Sequence, residues 1–173
     1  HQAVYLDTLF NDGRDHDFAI VGAGVMDSDA AMRQRLSDQD YLTTVVARSA
    51  DTSEARVTGP MIDFLAPGDV AAIRSRLADP AIRIVSLTIT EGGYFLDPAS
   101  GVFNPDDPAI VADAETPDAP RTVFGLIALG LKDRHAAGTP PFTVMSCDNI
   151  PHNGRVTRDT LAGLVGLHDS DLA

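Results

Sequence analysis

The sequence predicts an α/β domain built on a doubly wound, mostly parallel sheet, and three observations carry that expectation. Short, continuously apolar runs such as Phe18 to Gly22, Ile82 to Thr90 and Phe142 to Ser146 read as strands covered on both faces. They alternate with stretches at helical spacing that end in glycine or proline. The length of 173 residues, with 44% apolar and 22% charged side chains, suits one ordinary domain with a real core and argues against disorder.

Taken in order, Val4, Leu6, Leu9 and Phe10 fit a short helix that Asn11-Asp12-Gly13 stops. Phe18 to Gly22 is a buried strand, and Ser28 or Asp29 caps a helix carrying Met32 and Leu36. Tyr41 to Ala47 is β-branched and aromatic, and Glu54 to Thr58 pairs back on it across the Asp51-Thr52-Ser53 turn. Val70, Ile73 and Leu77 sit at helical spacing until Asp79-Pro80 ends the element. Ile82 to Thr90 is the strongest strand and runs into Glu91-Gly92-Gly93. Residues 97–120, rich in proline and aspartate, read as loop with room for one turn of helix. Val123 to Arg134 is an apolar helix closed by Gly138 and Pro140-Pro141, Phe142 to Ser146 a strand, and Thr160, Leu161, Leu164 and Leu167 mark a last helix.

The charge balance narrows function. Thirteen basic against twenty-five acidic residues leave a net charge of −12, which repels phosphodiester backbones, so no nucleic-acid partner is expected. No apolar run approaches the roughly 18–20 residues of a membrane-spanning helix, so no membrane role is expected either. The first residues lack the cationic flank and apolar stretch of a signal peptide. The single cysteine, Cys147, excludes an intrachain disulfide and a Cys-based zinc cluster, which fits a cytoplasmic location. A start on His1 inside a helical pattern reads as part of a longer protein.

In an open parallel sheet, ligands bind beyond the carboxyl ends of the strands, and three strand ends carry unusual polar sequence. Gly22-Ala23-Gly24-Val25-Met26-Asp27 mimics a dinucleotide fingerprint, but an acid at the sixth position suits a pyrophosphate poorly. A better reading makes Asp27 or Asp29 the acid that accepts ribose hydroxyls at the end of a second strand. The same spacing also serves a plain helix cap. At the second end, Thr88, Thr90 and Glu91 precede a glycine pair; Glu91 suits orienting a hydroxyl or relaying a proton, or simply lies in solvent. The third end is Ser146-Cys147-Asp148-Asn149-Ile150-Pro151-His152-Asn153-Gly154, where an asparagine amide can donate to charge developing on oxygen. Cys147 reads as a small buried packing residue rather than a nucleophile, and His152 as a surface or capping residue.

Together these segments resemble the N-terminal domain of the polyol-specific long-chain dehydrogenases, the mannitol 2-dehydrogenase and fructuronate reductase family. The likeness covers essentially the whole chain. It is most specific at His1 to Asp7, Ile82 to Tyr94, Thr122 to Gly125, and Phe142 to Gly154. It implies a Rossmann-like fold and zinc-independent, NAD-dependent interconversion of a polyol and its 2-ketose, of the D-mannitol and D-fructose type. By the same resemblance Asn149 matches the residue that binds the reacting oxygen, and Asp29 matches the ribose acid that favours NAD over NADP. Thr88, Thr90 and Glu91 match the segment lining the cofactor pocket.

The resemblance also implies a first strand and glycine-rich loop before His1. After Ala173 it implies a helical substrate domain of the same protein, bearing a lysine acid/base; Lys132, the chain's only lysine, lies on a helix away from the strand ends. The fragment alone is expected to be inactive. A hexuronate reductase is the alternative within the enzymes, and a non-catalytic nucleotide-binding module the alternative outside them.

Overall fold

The computed structural model describes residues 2–168, so His1 of the first resembling block lies outside the described residues. The chain divides into two compact units, His1–Asp69 and Val70–Ala173.

The first unit begins with helix α1 (Gln2–Asn11) and strand β1 (Ile20–Ala23), followed by α2 (Asp29–Ser37). Strands β2 (Thr43–Arg48) and β3 (Ser53–Thr58) form an antiparallel hairpin, and β4 (Met61–Leu65) pairs parallel to β1 from Ile20↔Met61 to Ala23↔Leu65. Strand β4 is only five residues long and carries Asp63 at its centre; the parallel ladder to β1 supplies what local propensity does not. Two ties hold the helices to the strands. Arg33 of α2 donates from Nε to the Phe64 carbonyl at 2.9 Å, and Arg56 of β3 pairs with the largely buried Asp7 of α1 at 3.0 Å.

The second unit contains α3 (Val70–Ala78), β5 (Ile84–Leu87), a 3-10 turn over Glu91–Tyr94, α4 (Pro108–Glu115), α5 (Val123–Ala137), β6 (Thr143–Ser146) and α6 (Asn153–Gly166). Strands β5 and β6 pair in parallel, Ile84↔Thr143 through Leu87↔Ser146, so their carboxyl ends emerge side by side. Tyr94, Ile110, Phe124, Ile127, Leu129 and Leu164 are almost completely buried. Each such large apolar side chain contributes on the order of 1.5–3 kcal/mol by leaving water.

A buried arginine ties the elements of this unit together. Arg134 of α5 donates to the carbonyls of Leu77, Ile82 and Pro140 at 2.7 Å each, and to that of Asp79. Its guanidinium lies 4.9 Å from the Phe142 ring centroid. One side chain therefore joins the end of α3, the entry to β5 and the turn into β6.

Two expectations need correction. Helix α4 is a full eight-residue helix inside the proline-rich stretch; Asp107 caps it by accepting from the Ala109 amide at 2.9 Å, and Pro108 opens it. Cys147 is exposed, not buried, because β6 ends at Ser146 and the chain turns outward there. Among the described residues no helix is long and apolar enough to cross a membrane.

Candidate active site

Strand β5 stops at Leu87, three residues short of the predicted Thr90. The reason lies across the sheet on the exit of β6. The Asp148 carboxylate accepts the Ile89 amide at 3.0 Å, the Thr90 amide at 3.1 Å and the Tyr94 hydroxyl at 2.7 Å. These bonds draw the β5 exit out of the ladder and into a turn.

The price is local: Thr90 sits at φ 62°, ψ 169°, a region that a β-branched residue enters at a cost of roughly 1–3 kcal/mol. Phe95, the residue after the turn, is left-handed as well at φ 52°. Three charge-assisted bonds to one carboxylate offset strain of this size.

Below the turn the network continues into the core. An ionised carboxylate only accepts, so Tyr94 gives its proton to Asp148, and Ser146 donates its own to the Tyr94 oxygen at 2.6 Å. The Tyr94 ring is fully buried against Phe124, edge to face at 5.7 Å. Thr160 of α6, also fully buried, donates to the Tyr94 carbonyl at 3.1 Å. Burial pushes the Tyr94 hydroxyl up to about 12, the hydrogen bond from Ser146 opposes this, and the adjacent Asp148 charge adds to it. Burial also pushes Asp148 upward, but its bonds from Ile89, Tyr94 and Thr90 prevail and hold the carboxyl below the usual range.

The β6 exit is clamped separately. Asn153, first residue of α6, donates from Nδ2 to the carbonyls of Ser146 at 3.2 Å and Asp148 at 3.3 Å. His152 precedes it in a left-handed conformation and makes no side-chain cap, which matches its reading as a surface residue.

Held this way, the two exits face an open cavity of about 390 Å³ lined by Thr90, Glu91, Gly92, Asp148 and Asn149. The Asn149 amide and the Glu91 carboxylate are exposed. Neither has a hydrogen-bond partner among the described residues. A Cβ built on Gly92 would meet nothing within 4 Å, so the cavity is open at that point.

The structure thus brings Thr90, Glu91 and Asn149 together. Thr88 is exposed just past β5 and does not line the cavity. Asp29 belongs to the first unit, at the start of α2, where its Oδ2 accepts the Val25 and Met26 amides at 3.0 Å each. Gly24 is required there, since a Cβ would lie 2.5 Å from the Asp29 Cβ. Asp29 therefore braces the β1 exit loop, while Asp27 is exposed.

Sequence reasoning missed Asp148, Tyr94 and Ser146 as a unit. The signal available was their membership in the same two polar blocks as Glu91 and Asn149; their pairing spans more than fifty residues and leaves no local pattern.

Adjoining parallel strands with exposed polar side chains beyond their carboxyl ends are the arrangement in which open α/β domains bind ligands, nucleotides among them. A family model described as the mannitol dehydrogenase Rossmann domain matches residues 1–173. The chain is 54% identical over 174 residues to mannitol 2-dehydrogenase of Cereibacter sphaeroides, covering all of this chain and 36% of that protein. It is 42% identical over 178 residues to a polyol:NADP oxidoreductase of Gluconobacter oxydans (strain 621H), again covering 100% and 36%. Among solved structures it is similar to Pseudomonas fluorescens mannitol 2-dehydrogenase in a ternary complex with NAD and D-mannitol. That match has a TM-score of 0.95 at 48% identity, over 99% of this chain and 35% of the other. The chain belongs to the mannitol dehydrogenase family, as its Rossmann domain, and spans about a third of these relatives' length.

Proposed function

We propose that this domain is the NAD-binding wall of a polyol dehydrogenase that interconverts a polyol and its 2-ketose, of the D-mannitol and D-fructose type. The observation that carries the reading is the pair of unengaged polar groups, the Asn149 amide and the Glu91 carboxylate, at one cavity beyond the adjoining ends of β5 and β6. The relatives' names agree with it.

The residues fit a dinucleotide. Asp29 commits only Oδ2 to its own loop, which leaves Oδ1 for a ribose hydroxyl; a carboxylate there welcomes a 2′-hydroxyl and repels a 2′-phosphate. Thr90, Glu91 and the open backbone at Gly92 would line the nicotinamide side, with Thr88 at its margin. When bound, NAD supplies the hydride acceptor.

Asn149 donates an N–H to the oxygen on the reacting carbon, and that bond strengthens as the oxygen gains alkoxide character. Glu91 orients a substrate hydroxyl or passes its proton outward. The base that takes the alcohol proton is not Lys132, whose Nζ lies on α5 and meets Asp118 at 3.3 Å. We place that base, a lysine, in a helical substrate domain after Ala173, and the first strand with its pyrophosphate-binding turn before His1. The relatives, about three times as long, leave room for both. The cytoplasm, a reducing compartment, suits the exposed thiol of Cys147.

The test is turnover of the whole protein with NAD and with NADP on mannitol, sorbitol, arabinitol and the hexuronates. NAD-dependent ketose formation from a neutral polyol is expected. Reduction of uronates alone would move the reading to a hexuronate reductase, and no turnover would leave a nucleotide-binding module.

A further inference from the structure

We propose that Asp148 is the positioning residue of this site, setting where Glu91 stands relative to Asn149 by holding the Thr90 backbone in its left-handed turn. This role rests on the polyol dehydrogenase reading above. Nothing in the polar block of residues 146–154 marks Asp148 over its neighbours; its geometry does.

Asp148 sits on the β6 exit, and its side chain reaches across to the backbone of the β5 exit. It receives two consecutive amides, Ile89 and Thr90, from the β5 exit, while its own carbonyl is held by Asn153 of α6. The next residue along one exit is Asn149, and the next along the other is Glu91. The carboxylate is thus the shared fulcrum of the two groups that face substrate.

It is also heavily engaged. Its two oxygens accept three bonds, from Ile89, Thr90 and Tyr94, although it lines the cavity. Its work is to keep Thr90 at φ 62°, ψ 169°, which only glycine enters freely. Without the carboxylate, the threonine backbone falls back toward the extended region, and Glu91 swings with it. Tyr94 transmits rigidity from below, since its ring is packed on Phe124 and its carbonyl is tied to Thr160.

The experiment uses the whole protein carrying Asp148→Asn, alone and combined with Thr90→Gly. Aspartate to asparagine keeps shape but replaces one acceptor oxygen with a donor, so one of the two amides loses its partner. Three results are expected. Amide hydrogen exchange at Ile89 and Thr90 accelerates at least tenfold. Turnover on the preferred polyol falls by about 10- to 100-fold, the size typical of misplacing a supported group, while KM for NAD stays within about twofold. The loss caused by Asp148→Asn is several-fold smaller in the Thr90→Gly background, because glycine needs no carboxylate to hold that turn.

Unchanged exchange at the two amides overturns the proposal, as does an equal loss in both backgrounds or a parallel rise in NAD KM. Should Asp148→Asn not fold, Tyr94→Phe removes one hydrogen bond from the same carboxylate and keeps the ring. It is expected to lower turnover about three- to tenfold with KM for NAD unmoved, and unaltered turnover overturns the proposal. Absence of any polyol turnover in the unsubstituted protein overturns the functional reading instead, and is seen before any variant is made.

Discussion

Two aspartates at strand exits do similar work in the two units and end in different chemical states. Asp29 accepts the amides of Val25 and Met26, four and three residues away, on a single oxygen. Asp148 accepts the amides of Ile89 and Thr90 from across the sheet, on two oxygens, and adds a buried tyrosine hydroxyl. A carboxylate that serves only its own loop keeps an oxygen free for something else. One that joins two strands and the core is consumed as framework, and its neighbour in sequence, Asn149, inherits the free polar group. The same residue type at the same kind of place therefore keeps one oxygen unengaged in one unit and commits both to the framework in the other.

The largest effects should come from the framework beneath Asp148. Arg134→Met leaves the carbonyls of Leu77, Asp79, Ile82 and Pro140 without their buried donor. Unfolding free energy should drop by about 3–5 kcal/mol. The matching change in the first unit, Arg33→Met, removes a bond to one carbonyl and should cost about 1 kcal/mol. Denaturant titrations of the two variants check the contrast; equal losses would mean that the second unit has no special staple.

Next comes the amide beside Asp148 in sequence. Asn149→Ala in the whole protein should lower polyol turnover by about 10²–10³-fold, the usual loss for one donor to a developing oxyanion. KM for NAD should change little. Steady-state kinetics with both substrates varied decide it, and a loss shared equally between turnover and NAD binding would remove Asn149 from the reacting oxygen.

The same contrast explains what could be read from the chain alone. The apolar runs at β1, β5 and β6 and the helix stops at Gly138 and Asp79-Pro80 are local signals, and they placed most of the elements. Polar residues crowding the ends of apolar strands mark the three candidate segments, and the family resemblance is what singles out Asn149 and Asp29 within them. The Asp148–Tyr94–Ser146 network stayed hidden, since the partners lie more than fifty positions apart and each has an ordinary local role. Helix α4 is obscured by the surrounding prolines, one of which, Pro108, in fact opens its first turn. The exposure of Cys147 is not legible locally, because a cysteine just after a buried strand reads as a small packing residue, whereas the chain turns outward at that residue.

The alkaline stability of the protein tests the buried end of the network. Tyr94 is raised from 10.0 to about 12 by burial, with Asp148 adding to it against Ser146. The folded state therefore keeps a proton that the unfolded chain gives up. The stabilisation is complete below pH 10 and fades as pH rises from there through 12, with a limit of about 2–3 kcal/mol for such a shift. Tyr94→Phe has no hydroxyl to titrate, so its stability should fall less steeply over that interval. Denaturant titrations between pH 9 and 12 on both proteins measure the two slopes; identical slopes would mean that the hydroxyl is not held as neutral as its surroundings dictate. On the acid side the sign reverses: Asp148, held low, adds stability above the ordinary carboxylate range and loses it as pH falls through its own lowered value.

The smallest expected effect lies at the other aspartate, and it separates the two roles most cleanly. If Asp29 has a spare oxygen for the ribose, Asp29→Ala should reduce the ratio of kcat/KM with NAD to that with NADP by about tenfold, roughly 1.4 kcal/mol. Turnover at saturating NAD should move by less than about threefold if the proposed chemistry sits at the β5 and β6 exits. Asp29→Asn retains an acceptor oxygen for the Val25 and Met26 amides but loses the charge, so it should shift cofactor preference as Asp29→Ala does while preserving more of the loop. If instead Asp29→Asn behaves like the unsubstituted protein and only Asp29→Ala is impaired, Asp29 is a loop brace and nothing more. The two strand-end aspartates would then be the same device, differing only in how far across the fold each one reaches.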